Sequence, residues 1–493
     1  MAEQQTNGRR RRRTPKKSVL IADRIARWTI ALGGIGSIVA VSLVGLFLFY
    51  VVVPLFLPPS LEEEANVAVG ASKHVVHLGL DEYGTMAWAL HRDGSIVVRS
   101  LSDGEVVKRL EVPGAPLLTC WSFGIDSDQC AFGYADGTVR LGAVGFATEF
   151  LDADELPADL HELAAGETAT FGSGTVQLTP ENQFRHLEMT LTVDEPLQLA
   201  THPIALVDQS VGNTGPLLAA LDRADVLHVR RLRRRRNLLT GETTTRIRGE
   251  SLDLREAGLM AAGETAPAHL LLTGLGDNVM LAWTGGRLLR IDTSNPSDPQ
   301  PTGELDLVPE NGHQLTAITF QIGKASLVTG DDLGRIRVWF RVKDPGGQHR
   351  DGTSLVLAHE LSGVESVATS LTASARTRLI AAGFTDGTAA LYHLTSGRRL
   401  ATVAVANEPV NTLALGPRDD VMLTLVDGGA KVWHATTWLF DGSTWSSRRY
   451  SACQSRDRDS APTVSVRTGS FAARTRGGSS SSADSVPADF GWS

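Results

Sequence analysis

Charge disappears from the chain between Trp28 and Leu57, thirty residues without a single Asp, Glu, Lys or Arg. An α-helix rises 1.5 Å per residue, so about 20 residues cross the roughly 30 Å hydrocarbon core of a bilayer. The run therefore predicts one membrane-spanning helix with length left for tilt. Basic residues crowd its N-terminal side, from Arg9–Arg13 through Lys16, Lys17, Arg24 and Arg27, while Glu62, Glu63 and Glu64 follow it. Because basic flanks stay cytoplasmic, this asymmetry predicts an inside N-terminus and a body beyond residue 60 that faces outward. A cleaved signal peptide has an apolar core of only about 7–15 residues, so the run reads as an uncleaved anchor. Gly33, Gly36, Ser37 and Ala40 recur at helical spacing and predict a face on which another helix packs closely.

From residue 66 to 434 the pattern changes to short runs of Val, Leu, Ile and Thr broken by Gly, Asp or Asn, with no sustained helical period. That is the signature of strands joined by tight turns. His91-Arg92-Asp93-Gly94 precedes Ser95–Val98, Ala135-Asp136-Gly137 precedes Thr138–Leu141, and Thr385-Asp386-Gly387 precedes Thr388–Tyr392. Asp-Gly is expected to supply the positive φ of a hairpin turn. Looser copies stand at Gly285-Gly286, Asp332-Leu333-Gly334 and Asp427-Gly428-Gly429. Successive turn glycines lie 43 (Gly94, Gly137), 48 (Gly286, Gly334), 53 (Gly334, Gly387) and 41 (Gly387, Gly428) residues apart, a period that fits four-stranded propeller blades of about 40–45 residues. Weaker turns near Gly174 and Asp225 fill the gap between Gly137 and Gly286. The expectation is an all-β soluble domain, a β-propeller of about seven blades, preceded by one transmembrane α-helix. The repeats resemble the WD40 type, in degenerate form: no unit closes on Trp-Asp or opens on Gly-His.

Composition sharpens this picture. The chain of 493 residues holds 47 basic and 55 acidic side chains, and its first 27 residues carry a net +7. The remainder carries −15, which argues against a nucleic-acid-binding surface. No phosphate-cradling loop, His-Glu-x-x-His pair or Gly-x-Ser-x-Gly elbow occurs, so no enzyme, cofactor or metal site is expected. Cys120 and Cys130 bracket a segment able to fold back as a hairpin, and outside the cytoplasm they are candidates for a disulfide, the alternative being two buried thiols. Arg230, Arg231, Arg233, Arg234, Arg235 and Arg236 form the one strong basic patch of the body, a candidate for anions or lipid headgroups and equally a solvated loop. The organisation read from the chain is a basic cytoplasmic head (1–27), a transmembrane helix (28–57), a propeller domain (58–434) and a disordered Ser/Arg-rich tail (435–493).

Three segments, Ala22–Trp28, Gly33–Val41 and Val53–Phe56, followed by Leu80-Asp81-Glu82-Tyr83, look like the N-terminal part of the phosphate ABC transporter permease (PstC type) of proteobacteria. Arg236–Gly241 and Gly334–Trp339 add to the resemblance. It implies an inner-membrane subunit with a periplasmic propeller that imports inorganic phosphate together with a second permease subunit, an ATPase subunit and a periplasmic phosphate-binding protein. The chain departs from that family near residue 434, where further apolar spans are expected and none follows, as truncation or a change of reading frame would produce. The alternative expectation is a free-standing, membrane-anchored periplasmic propeller that acts as a protein-interaction module.

Overall fold

The computed structural model describes residues 17–52, 60–67, 74–212, 215–236, 243–344, 346–361, 363–427, 429–440 and 445–449. The apolar run forms a helix, Lys17–Val52, of which Ile21–Phe49 is long and apolar enough to cross a membrane. It begins eleven residues before the expected start at 28, and residues 53–57 of the expected span lie outside the described ones.

Among the described residues the strands assemble into seven antiparallel sheets, each a blade of a β-propeller. The first blade runs from Val75 to Glu111 and the second from Leu118 to Gln198. The third spans Ile204–Asp253, the fourth His269–Asp306, the fifth Leu315–Leu361 and the sixth Ala368–Ala404. The seventh combines Thr412–Leu415, Val421–Val426 and Gly429–Phe440 with Ser60–Val67 from the other end of the sequence. That last pairing, from Ser60 opposite Thr436 to Val67 opposite Ala430, closes the ring. The seventh sheet runs past the boundary expected at 434, since Gly429–Phe440 also pairs Trp445–Arg449; the rest of the expected tail, 441–444 and 450–493, lies outside the described residues.

The repeated turns at Gly94, Gly137, Gly286, Gly334 and Gly387 form as expected, with one difference in chemistry, while Gly428 of the sixth lies outside the described residues. Glycine alone takes the positive φ, +83° at Gly94, +80° at Gly137 and +80° at Gly387. The aspartate before it keeps an ordinary backbone and instead accepts from the residue two places on: Asp93, Asp136 and Asp386 each take the backbone N–H and the hydroxyl of Ser95, Thr138 and Thr388 at 2.7–3.0 Å. These bonds stabilise the charged carboxylate and hold Asp93 and Asp136 below the usual range. Asp225, with φ of +62°, turns the third blade. Gly174 does not mark a blade: it opens a strand in an extra hairpin, Thr168–Phe171 with Gly174–Leu178, added to the second sheet.

Alternation along the strands fills the space between blades. Met86, Trp88 and Leu90 of the first blade meet Cys130, Phe132 and Tyr134 of the second, and Leu217, Ala219 and Leu221 of the third meet Leu270, Leu272 and Leu281 of the fourth. At one end of the ring the loops of the first hairpins are clasped to one another. Gln209 Nε2 donates to Cys130 O (2.7 Å), Ser210 Oγ to Gly274 O (2.7 Å), Gly274 N to Lys324 O (3.1 Å) and Thr377 Oγ1 to Asp419 (2.7 Å), while Arg418 reaches Glu82 at 3.7 Å. This end is called the hairpin face below. The closing strand enters there: Glu62 and Val421, the residue that follows the first-hairpin loop of the seventh blade, both lie opposite His434.

Candidate functional site

The long insertion of the second blade shapes the hairpin face. Thr138–Leu151 and Phe184–Val193 extend far beyond their neighbours and carry the extra hairpin, under which Leu156, Leu160 and Val176 form a small core of their own. The insertion leans on the first blade through Thr85 and Thr175, whose hydroxyls are 3.0 Å apart, and through Lys108 and Glu188 at 2.5 Å. The Arg185 guanidinium lies 3.3 Å from the centre of the Tyr83 ring, and Arg418 of the seventh blade lies 4.6 Å from the same ring. Cation–π contact of this kind ties three blades together around one side chain.

Between the insertion and the first-hairpin loops the ring opens into a cavity of about 670 Å³. His77 of the innermost strand lies stacked on Phe123, ring centres 4.2 Å apart, with Trp88 at 5.2 Å from each ring. The local reason is Gly79: a Cβ there would meet the Trp88 indole at 2.4 Å, so only glycine lets the ring lie across the inner strand. Burial pushes the His77 imidazole down to about 4, which keeps it neutral at ordinary pH. Exposed Glu82, Asp126 and Asp128 stand on the rim beside exposed Arg376, and Thr148 of the insertion overhangs it. An apolar, aromatic floor with a few polar groups at its edge is the composition of a binding cleft.

A smaller recess of about 260 Å³ shares Phe123, Ile125 and Thr319 with this cavity and leads to a buried charge pair. Asp208 of the third blade accepts from Ser122 Oγ of the second (2.6 Å), Leu272 N of the fourth (2.7 Å) and Lys324 Nζ of the fifth (3.0 Å). One carboxylate thus joins four blades beside the recess.

Ser251, His228 and Asp222 are linked in series, His228 Nδ1 lying 2.8 Å from Ser251 Oγ and Nε2 lying 3.1 Å from Asp222 Oδ2. The order resembles a nucleophile, base and orienting acid, but the fifth blade holds the same positions with other chemistry. There Asp331 bonds Arg337, six residues on, and Arg337 bonds its cross-strand partner Glu360. His228 is likewise six residues after Asp222 and opposite Ser251. The relay is therefore a strut between the turn and the outer strand, repeated with different residues, and no catalytic role is assigned to it.

The residues singled out in the sequence are scattered. Cys120 and Cys130 do lie on paired strands, but both thiols are free and buried. Cys120 packs with Ile204 and Val207 on the face toward the third blade, Cys130 with Phe132 and Leu187 on the face toward the first. Opposite faces of one sheet keep the sulfurs apart, so of the two alternatives it is the pair of buried thiols that the fold holds. Burial raises both thiols to about 12. Gly33, Gly36, Ser37 and Ala40 are exposed along the N-terminal helix. Arg230, Arg231 and Arg233–Arg236 belong to a strand, Val226–Arg236, rather than to a loop; the side chains of Arg234, Arg235 and Arg236 lie outside the described ones. Sequence reasoning missed the cavity. Its one local signal is the Trp121–Gln129 stretch, where aromatic and acidic residues alternate with turn formers.

The strand pairing defines the class: an all-β propeller preceded by one apolar helix. No protein-family model matches the chain, and no curated protein matches it. Among solved structures it is similar to the β-propeller domain of Cps50 (Swd1) from Myceliophteria thermophila, at 12% sequence identity, over 76% of this chain and 99% of that one, with a TM-score of 0.47. The propeller assignment rests on the strand pairing and not on that likeness.

The permease resemblance is overturned. A permease of that type is a multi-span membrane protein, whereas the described residues form a propeller and hold one helix able to span a bilayer. With it fall the phosphate substrate, the second permease subunit, the ATPase subunit and the phosphate-binding protein as partners, and the reading of the chain as a damaged transporter.

Proposed function

We propose that this chain is a membrane-anchored propeller that acts as a protein-interaction module and not as an enzyme, receiving an apolar or aromatic side chain of a partner polypeptide in the cavity of the hairpin face. The observation that carries the reading is the cavity itself, about 670 Å³ floored by Phe123, His77 and Trp88. Such a cleft buries a large side chain, and aromatic anchors of this kind dominate the binding energy of interfaces. The helix supplies the anchor, with the basic head in the cytoplasm and the propeller on the outer side of the inner membrane by the charge rule.

A photo-crosslinking residue placed at Thr148, on the rim, is expected to trap a partner protein in cells, while the same residue at Asp386, on the opposite face, traps none. The Phe123→Ala variant should abolish the Thr148 adduct, since losing an aromatic contact at the centre of an interface costs about 2 kcal/mol or more of binding, some thirtyfold. An adduct that persists in Phe123→Ala, or forms equally from Asp386, overturns the reading. Separately, the anchor predicts that alkaline carbonate leaves the full chain in the membrane pellet and that deleting residues 17–52 releases it.

A further inference from the structure

The third blade carries an antiparallel ribbon, Val226–Arg236 with Thr243–Arg248, in which like charges face each other. Arg231 lies directly opposite Arg248, and Arg233 directly opposite Arg246. Directly opposed residues share a face, as do residues two apart on one strand, so these four guanidinium groups stand on one side of the ribbon. The other side is apolar where it meets the body: Leu232, opposite Ile247, is buried against the second blade. Arg233, Arg246 and Arg248 are exposed, and among the described residues none of the four is ion-paired. Like charges placed opposite one another destabilise a sheet. Four aligned arginines therefore call for a polyanionic counterpart.

Where the ribbon points identifies that counterpart. Pairing of Val226–Arg236 with its inner neighbour ends at Arg231, opposite Leu217, so the strand from Arg233 on projects beyond the blade with only the outer strand beside it. That end is the one where the first hairpin of the blade turns, at Gly212–Gly215, which is the hairpin face. The closing strand enters on the same face at Ser60. Between Val52, the last residue of the apolar helix, and Ser60 there is room for at most about 28 Å of extended chain. The face from which the arginines project is thus tethered within a short reach of the bilayer.

We propose that the ribbon docks on the phosphate groups of anionic lipid headgroups, through Arg231, Arg233, Arg246 and Arg248. Arginine is suited to this because its planar fork takes phosphate oxygens two at a time. The contact fixes the tilt of the propeller over the membrane from a second point, since the third blade lies across the ring from the closing seventh. This inference rests on the helix being an anchor.

The test uses the full-length chain in nanodiscs made of phosphatidylcholine alone or of phosphatidylcholine with phosphatidylglycerol. Phenylglyoxal modification of Arg233, Arg246 and Arg248 is followed by mass spectrometry, with exposed Arg223 at the opposite end of the same blade as the internal control. Labelling of the three ribbon arginines is expected to slow about tenfold or more in the anionic discs, given a headgroup attraction that multiplies with each basic residue near the surface. The protection should vanish as salt approaches 1 M, where the Debye length is about 3 Å, and Arg223 should label equally throughout. Equal labelling in both discs overturns the contact. Protection by inorganic phosphate in neutral discs with no effect of phosphatidylglycerol overturns the lipid as its source and leaves a site for free phosphate. Loss of co-elution of chain and disc on size exclusion would overturn anchor and contact together, whereas co-elution with unchanged labelling overturns the contact alone.

Discussion

Replacing Asp208 with Ala lowers the stability of the propeller by about 3–5 kcal/mol, a large part of what a domain possesses. The reason is what the substitution leaves behind. Lys324, with its side chain 11% exposed, would keep a buried ammonium whose remaining bond is to Gln209 O at 3.0 Å. Leu272 N and Ser122 Oγ would lose their acceptor as well. Breaking one side of a buried pair costs more than removing the pair, so Lys324→Met added to Asp208→Ala should restore most of the loss. Urea unfolding of the full chain in detergent measures both variants. A loss below about 1 kcal/mol for Asp208→Ala would place the carboxylate among ordinary surface bridges and remove its role as the clasp of four blades.

Acid is the second strong perturbation. His77 takes up a proton at about 4 in the folded chain and near 6.5 when unfolded. Between those values the unfolded state binds a proton that the folded state refuses, so stability falls as the pH drops through that window and is unaffected by this group above it. One such histidine contributes a slope of about 1.4 kcal/mol per pH unit, on the order of 3 kcal/mol across the window. Burial lowers His228 and His269 in the same direction. Thermal unfolding from pH 7 to pH 4 should therefore show a fall that His77→Phe makes shallower, because a phenyl ring keeps the stack on Phe123 and takes no proton. An unchanged slope in His77→Phe would mean that the imidazole takes up its proton in the folded chain as readily as in the unfolded one.

Much of the propeller is legible in the chain because its turns obey local rules. Gly94, Gly137 and Gly387 hold a backbone conformation that other residues resist, and each preceding aspartate bonds the next Ser or Thr, so the motif needs no distant neighbour to form. The same locality misled at Gly174, where a genuine hairpin belongs to an insertion: a turn says that two strands meet and nothing about which sheet they join. Cys120 and Cys130 show the limit in another form. A fold-back was readable, yet the parity of their positions across the register puts them on opposite faces.

The sequence by itself determined the apolar helix, the strands and the period of their turns, since helix length, φ preference and alternation are properties of short segments. Only the tertiary structure decided that Ser60–Val67 closes the seventh blade and that Asp208 meets Lys324, 116 residues away. It alone set His77, Phe123 and Trp88 around one cavity and aligned Arg231 and Arg233 with Arg248 and Arg246. Each of these depends on the register between strands, and a slip of one residue would turn every side chain to the other face. Register is fixed by packing across blades, which no stretch of the chain records alone.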